Sequence, residues 1–296
     1  MKELKKCPVC NGTRFHKKLS CRDYSASKEF FDIVSCETCG FLFTNPVPEQ
    51  NDIFKYYDSD SYISHTNRKR GLFNRLYQIV RKYTIKKKTG LVKGLIKRGR
   101  VLDIGCGTGE FLNSCVKNGL SAEGVEPSEK AVKEAKINYR INISKDVSLK
   151  QYDDQNFDCV TMWHVLEHVY EPEETIINIK RILSEKGYLV LALPNNESWD
   201  AEYYKEFWAA WDVPIHLWHF SKKSIVQMLE KHKFKLVSTR AMLFDSFYVS
   251  LLSEEYKSGN KNYFLSFIIG LVSNIMARTT KKGYSSQIYI FKNSQY

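Results

Sequence analysis

The chain has 296 residues, 43% of them hydrophobic, enough to bury a full core in one or two domains. No apolar run follows the initial Lys and Glu residues, so no secretory signal is expected. The eight cysteines are then expected in a reducing cytoplasm, where Cys-x-x-Cys spacing points to metal and away from disulfides. The formal charge of +12 is local: thirteen Lys/Arg and no Asp/Glu lie from Arg68 to Arg100, leaving −1 for everything else, which excludes a generally basic protein.

In chain order, residues 1–45 carry two Cys-x-x-Cys knuckles, Cys7/Cys10 and Cys36/Cys39, twenty-five residues apart. Four thiolates at this spacing can surround one zinc tetrahedrally and leave no open position, so the site is expected to be structural. Residues 30–34 read as a strand feeding the second knuckle, and Cys21 is a spare thiol outside the ligand set. Pro46 and Pro48 mark a linker. Tyr56, Tyr57 and Tyr62 follow; they either cap a site or pack as an ordinary loop. From Gly71 to about Ile85, apolar residues at helical spacing (Leu72, Phe73, Leu76, Ile79, Val80, Tyr83) predict an amphipathic helix. Gly90 and Gly94 are expected to break it before a second short helix. Its cationic face suits a nucleotide-linked sugar, a lipid pyrophosphate, an anionic membrane or RNA, and equally a plain solvated surface.

The stretch from Val101 to Glu110 reads Val-Leu-Asp-Ile-Gly-Cys-Gly-Thr-Gly-Glu: a short buried strand, a glycine turn and the start of a helix. Gly105, Gly107 and Gly109 let the chain turn sharply and let a ligand come close. Such a turn at the carboxyl end of a parallel strand is where open α/β sheets bind nucleotide-like ligands. Asp103 just before the turn is ill suited to a pyrophosphate but suits a cation. Glu126 ends the next apolar run, seventeen residues after Gly109, where an acid can accept both hydroxyls of a ribose. A cationic adenosine without phosphates, S-adenosylmethionine, fits both acids.

These residues resemble the class I S-adenosylmethionine-dependent methyltransferases. Their first motif matches 101–109, their second matches 124–128, and residues 156–169 look like their fourth strand and the loop after it. The resemblance covers roughly residues 100–195. It implies a Rossmann-like, doubly wound α/β sheet of seven strands with the last antiparallel, preceded here by a small zinc-ribbon module. By position, Asp146 resembles the family's acid that reaches the adenine amino group, and Met162 and His164 complete the implied cofactor set. The cysteine region is similar to one that precedes the catalytic domain in certain sugar methyltransferases. Those sugar C-methyltransferases carry a further C-terminal domain that this length does not hold, so C-methylation does not follow.

The remaining elements alternate as such a sheet requires. Helices are expected over 110–117, from a Ser128 cap to about 137, and from Pro172 to about 183, closed by Lys186 and Gly187. Strands are expected over 141–143, 157–162, 188–193, 234–240 and 288–291. His164, Glu167 and His168 follow the fourth strand. His164 stands between cofactor wall and catalysis; Glu167 and His168 are read as fixing the loop.

Residues 196–220 are dense in aromatics (Trp199, Tyr203, Tyr204, Phe207, Trp208, Trp211, Trp218, Phe220) and are expected to form a substrate insert with faces for a sugar ring. His216 and His219 lie three apart, without an evident third ligand for a metal. His216 leads as general base for a hydroxyl acceptor, with His164 and His219 as the other catalytic candidates. Ser221 caps the next helix. Residues 245–285 form a helical insert whose apolar run over 263–277 is too short to span a membrane, leaving a core or dimer helix or an interfacial one. The expected organisation is a zinc-binding module (1–45), a linker with a basic helical segment (46–98) and a methyltransferase domain (99–296). The expected function is cytoplasmic methyl transfer to a small molecule, with a sugar or glycolipid precursor of the cell surface as leading class. An RNA methyltransferase is the alternative, disfavoured because no RNA-binding module is evident. Peripheral membrane contact and a homodimer remain open.

Overall fold

The computed structural model describes residues 1–57 and 72–294. Tyr62, Arg68–Arg70 and Gly71 lie outside the described residues, as do the side chains of Leu72, Phe73 and Leu76. The N-terminal region forms three antiparallel strands, β1 (Phe15–Arg22), β2 (Phe30–Cys36) and β3 (Leu42–Thr44). The large sheet contains β4 (Arg100–Ile104), β5 (Ser121–Val125), β6 (Ile143–Ser144), β7 (Phe157–Trp163) and β8 (Leu183–Pro194). A two-residue β9 (Trp218–His219) precedes its last members, β10 (Phe234–Ala241) and β11 (Ser286–Asn293).

The order across the large sheet is β10-β11-β8-β7-β4-β5-β6. β11 runs antiparallel to β8 and β10, while the pairs among β4 to β8 are parallel. This is the seven-stranded Rossmann-like sheet that the family resemblance implies. The chain winds out from β4 in both directions, so the strand order reverses beside β4 and opens a crevice at the carboxyl ends of β4 and β7.

The helices are α1 (Leu72–Ile96), α2 (Glu110–Lys117), α3 (Glu129–Tyr139), α4 (Pro172–Ile182), α5 (Trp199–Tyr204), α6 (Lys222–Glu230), α7 (Asp245–Ser258) and α8 (Tyr263–Thr279). Ser128 caps α3 by accepting from Ala131 N, and Ser221 and Ser224 form a capping box on α6.

Three local expectations are corrected. Gly90 and Gly94 do not break α1, which is one helix of 25 residues. Val92 is fully buried against α2, and Thr89 Oγ1 donates to Ser114 Oγ at 2.8 Å. This packing outweighs the cost of about 1 kcal/mol for each helical glycine. Lys186 and Gly187 do not close α4; they lie inside β8, whose first residue pairs with Phe157. A Cβ on Gly187 would meet Leu183 Cγ at 2.7 Å, so the glycine serves a close approach and not a helix stop.

The third correction concerns the aromatic run. Tyr204, Trp208, Trp211, Trp218 and Phe220 are buried, and β9 pairs with β3, completing the small sheet β1-β2-β3-β9. The indole N–H groups are used internally: Trp208 donates to Asp200 Oδ2 (2.8 Å), Trp211 to Lys205 O (2.7 Å) and Trp218 to Val169 O (2.6 Å). Trp218 and Phe220 pack in the core shared by the N-terminal region and the large sheet, while Tyr204, Trp208 and Trp211 pack between the N-terminal strands and α7 and α8, so these rings offer no face to a sugar. Trp199 and Tyr203 stack near the surface, 5.3 Å apart, and Phe207 is half-buried.

Candidate active site

The glycine turn follows β4 directly. Gly105, Gly107 and Gly109 all have positive φ (73°, 53° and 76°), which a side chain would strain. A Cβ on Gly107 would meet nothing within 4 Å, so the space above the turn is open to a ligand, whereas one on Gly105 would strike Val165 at 2.4 Å. Glu126, at the end of β5, is held by main-chain donors: Gly107 N to Oε2 and Ser128 N to Oε1, each at 2.9 Å. Asp103 is buried and accepts from Thr161 Oγ1 at 2.6 Å. Burial pushes its carboxyl up to about 7, against the pull of Thr161 and Lys88. Lys88 comes from α1 and lies over the Trp163 ring at 4.4 Å. Trp163 Nε1 is buried beside this crevice with no hydrogen-bond partner among the described residues.

Asp146 is exposed in the loop after β6, with Oδ1 accepting from Ser148 N at 2.9 Å. Met162 does not line the crevice. It is 1% exposed and packs in the main core with Leu102 and Leu191, while its neighbour Trp163 points to the other face. The strand is buried on both faces, so alternation along it does not mark the ligand side.

His164 has φ +57° and is flanked by two acids, Glu167 Oε1 at 3.4 Å from Nδ1 and Asp245 Oδ2 at 3.2 Å from Nε2. Burial opposes the charged ring, but Asp245 and Glu167 together outweigh it and hold the imidazole up at about 9. Glu167 is fully buried, and neither oxygen has a hydrogen bond among the described residues. It lies with His168 and His216 in a group whose ligand-capable atoms are within 4.8 Å of one another.

His168 Nδ1 faces Ile215 O (3.0 Å) and Tyr57 OH (3.2 Å); burial and His216 push the ring down to about 4. His216 Nδ1 donates to Ala210 O (2.9 Å), which leaves Nε2 as an acceptor, and burial keeps the ring neutral. His219 is apart from this group. Thr44 Oγ1 donates to His216 O, so His219 Nε2 donates to Thr44 at 3.1 Å and ties β9 to β3. Lys88, Thr161, Trp163 and Asp245 were not singled out from the sequence; only Thr161 and Trp163, which lie within the fourth-strand motif, carried a local signal.

At the N-terminus, Cys7, Cys10, Cys36 and Cys39 converge, with Sγ atoms 3.7 Å apart for Cys7–Cys39 and 3.5 Å for Cys10–Cys36. A tetrahedron with Zn–S bonds of about 2.3 Å has edges of about 3.8 Å, so the four thiols fit such an ion. Cys21 packs elsewhere, with Phe31 and Trp208.

A family model described as a methyltransferase domain matches residues 76–239, more than half of the chain. The chain belongs to this methyltransferase family. A ubiquinone biosynthesis O-methyltransferase of Coxiella burnetii is 32% identical over 109 residues, which is 34% of this chain and 45% of that protein. The chain thus spans less than half the length of the curated relatives it matches. Among solved structures, the cyclase SpnF superposes with a TM-score of 0.55 at 17% identity, covering 84% of this chain and 97% of SpnF. Magnesium protoporphyrin IX methyltransferase of Synechocystis PCC 6803 gives 0.54 at 15% identity, covering 83% and 100%. At such identities the likeness is one of fold. The chain shares its fold with these proteins, and its site has to be read from its own residues.

Proposed function

We propose that the chain is an S-adenosylmethionine-dependent O-methyltransferase acting on a small-molecule hydroxyl. The observation that carries this reading is the pair of buried carboxylates, Asp103 and Glu126, at adjacent strand ends around an open glycine turn. In this reading Glu126 holds the ribose hydroxyls, Asp103 faces the cationic part and Asp146 the adenine. The cofactor supplies a methyl group activated on a sulfonium. The protein's share is orientation and proton handling. His216 takes the acceptor's hydroxyl proton at Nε2, and the buried Glu167 stabilises the resulting imidazolium. His164, charged up to about pH 9, is a fixed cation and not the base. His219 anchors β9.

The O-methyltransferase names of the relatives favour an oxygen acceptor. A sugar or glycolipid precursor loses its main support, because the aromatic run is core. One carboxylate and two imidazoles are also a donor set for a divalent cation, so a second reading makes Glu167, His168 and His216 its ligands. Activity lost to a chelator and restored by Mn2+ or Fe2+, with the zinc content unchanged, would select that reading. We further propose a structural Zn2+ on Cys7, Cys10, Cys36 and Cys39, within a module of residues 1–45 completed by β9. One zinc per chain by elemental analysis, lost in Cys36→Ser together with a lower unfolding temperature, is the expected result.

The test of function is transfer from methyl-labelled S-adenosylmethionine into fractionated cell extract. Label in the small-molecule or lipid pool supports the proposal. Label in RNA overturns it and makes α1 a nucleic-acid surface.

A further inference from the structure

α8 is built inside out. Apart from Ile269, its buried face carries small and polar residues, Ser266, Gly270, Ser273 and Asn274, while Phe264, Phe267, Leu271 and Ile275 are 77%, 58%, 44% and 50% exposed. A helix on a water-facing surface normally shows the reverse. The inner face is held to α7 by polar bonds and close approach. Ser246 Oγ donates to Gly270 O, Asn274 Nδ2 donates to Ser246 Oγ, both at 3.0 Å, and a Cβ on Gly270 would meet Phe247 at 2.7 Å. So the exposed stripe is not a helix awaiting rotation; its register is locked.

The stripe continues across neighbouring elements. Phe247 stacks on Phe267 at 5.4 Å, and exposed Phe244 meets Tyr83 of α1 edge to face at 5.8 Å. Ile79, also exposed, lies one turn earlier on α1. A contiguous apolar surface of this kind marks an interaction site.

Charge selects the partner. Exposed Lys82, Lys86 and Lys87 flank Tyr83 on α1, exposed Arg278 lies in the last turn of α8 and exposed Lys281 just beyond it. No Asp or Glu occurs from 68 to 100 or from 263 to 296. Two copies of the chain paired through this stripe would bring like-charged rims together. An anionic lipid surface complements both the apolar stripe and its cationic border. No helix among the described residues is long and apolar enough to cross a membrane, so the attachment is interfacial.

We propose that the face formed by α8, the start of α7 and the exposed side of α1 docks on an anionic membrane surface. α1 and α7 also carry Lys88 and Asp245, which face the candidate site, so docking would bring that site to an amphiphilic acceptor in the bilayer. That consequence rests on the methyl-transfer reading; the docking itself does not.

Flotation of the full chain with vesicles of phosphatidylcholine, with and without phosphatidylglycerol, tests the proposal alongside analytical ultracentrifugation. The expected result is binding to the anionic vesicles that falls about tenfold or more in Phe264→Ser/Phe267→Ser. It should also weaken as salt rises above about 0.1 M, where the Debye length falls below about 10 Å. Should that variant unfold, Lys86→Glu/Lys87→Glu on the exposed side of α1 gives the same readout. Equal flotation of wild type and variants overturns the proposal, as does a stable dimer that Phe264→Ser/Phe267→Ser converts to monomer. A failed methyl-transfer assay with intact flotation would remove the enzymatic reading and leave the docking face.

Discussion

The glycine turn and the histidine cluster occupy the same edge of the large sheet, yet they are held in opposite ways. Around the turn, both oxygens of Glu126 are fixed by main-chain N–H groups from within the same strand–turn–helix unit. In the cluster, Glu167 has among the described residues only an ion pair to His164, and the group is closed from distant segments: His216 beside Glu167, Tyr57 on His168 and Asp245 on His164. There the side chains set one another's charge. The same short stretch holds His164 charged to about 9 and His168 neutral down to about 4. The contrast teaches that the binding end is preset by the backbone, whereas the chemical end depends on remote packing. Disturbing that packing should change turnover before it changes cofactor affinity.

Four measurements would break or sharpen this contrast. His216→Ala should lower kcat by about 10²–10⁴-fold while the cofactor Kd stays near its original value. His219→Ala should instead lower the unfolding temperature and spare most of kcat; equal kcat losses would dissolve the distinction between the two rings. Glu126→Ala should raise the cofactor Kd about a hundredfold in calorimetry, since it removes charge-assisted bonds and leaves two N–H groups unpaired. Unchanged affinity would refute the ribose assignment.

The third measurement is pH. Asp103 is ionised only above about 7, so affinity for a cationic cofactor should rise, up to about tenfold, as pH climbs through that value. Asp103→Asn should flatten the profile; a slope that survives assigns it to another group. The smallest effect is expected at Asp245→Asn, which should lower the His164 midpoint from about 9, as read by NMR. Because its folded-state pKa is raised, wild-type His164 stabilises the fold most fully below about 6.5 and loses that contribution as pH rises through about 9. The variant should flatten this part of the stability curve.

What the sequence determined by itself was local: the glycine turn, the two acids, the Ser128 and Ser221 caps, the paired cysteines and the strand periodicity that builds the sheet. Each depends on residues a few positions apart and on backbone geometry that those residues dictate. Tertiary structure decided the rest. It hid the aromatic run behind β3, turned Met162 into the core, kept α1 whole across two glycines and brought Glu167, His168 and His216 together. It also left the apolar side of α8 facing outward. Burial and charge state come from segments far apart in the chain, and spacing along one segment carries no record of what will pack against it.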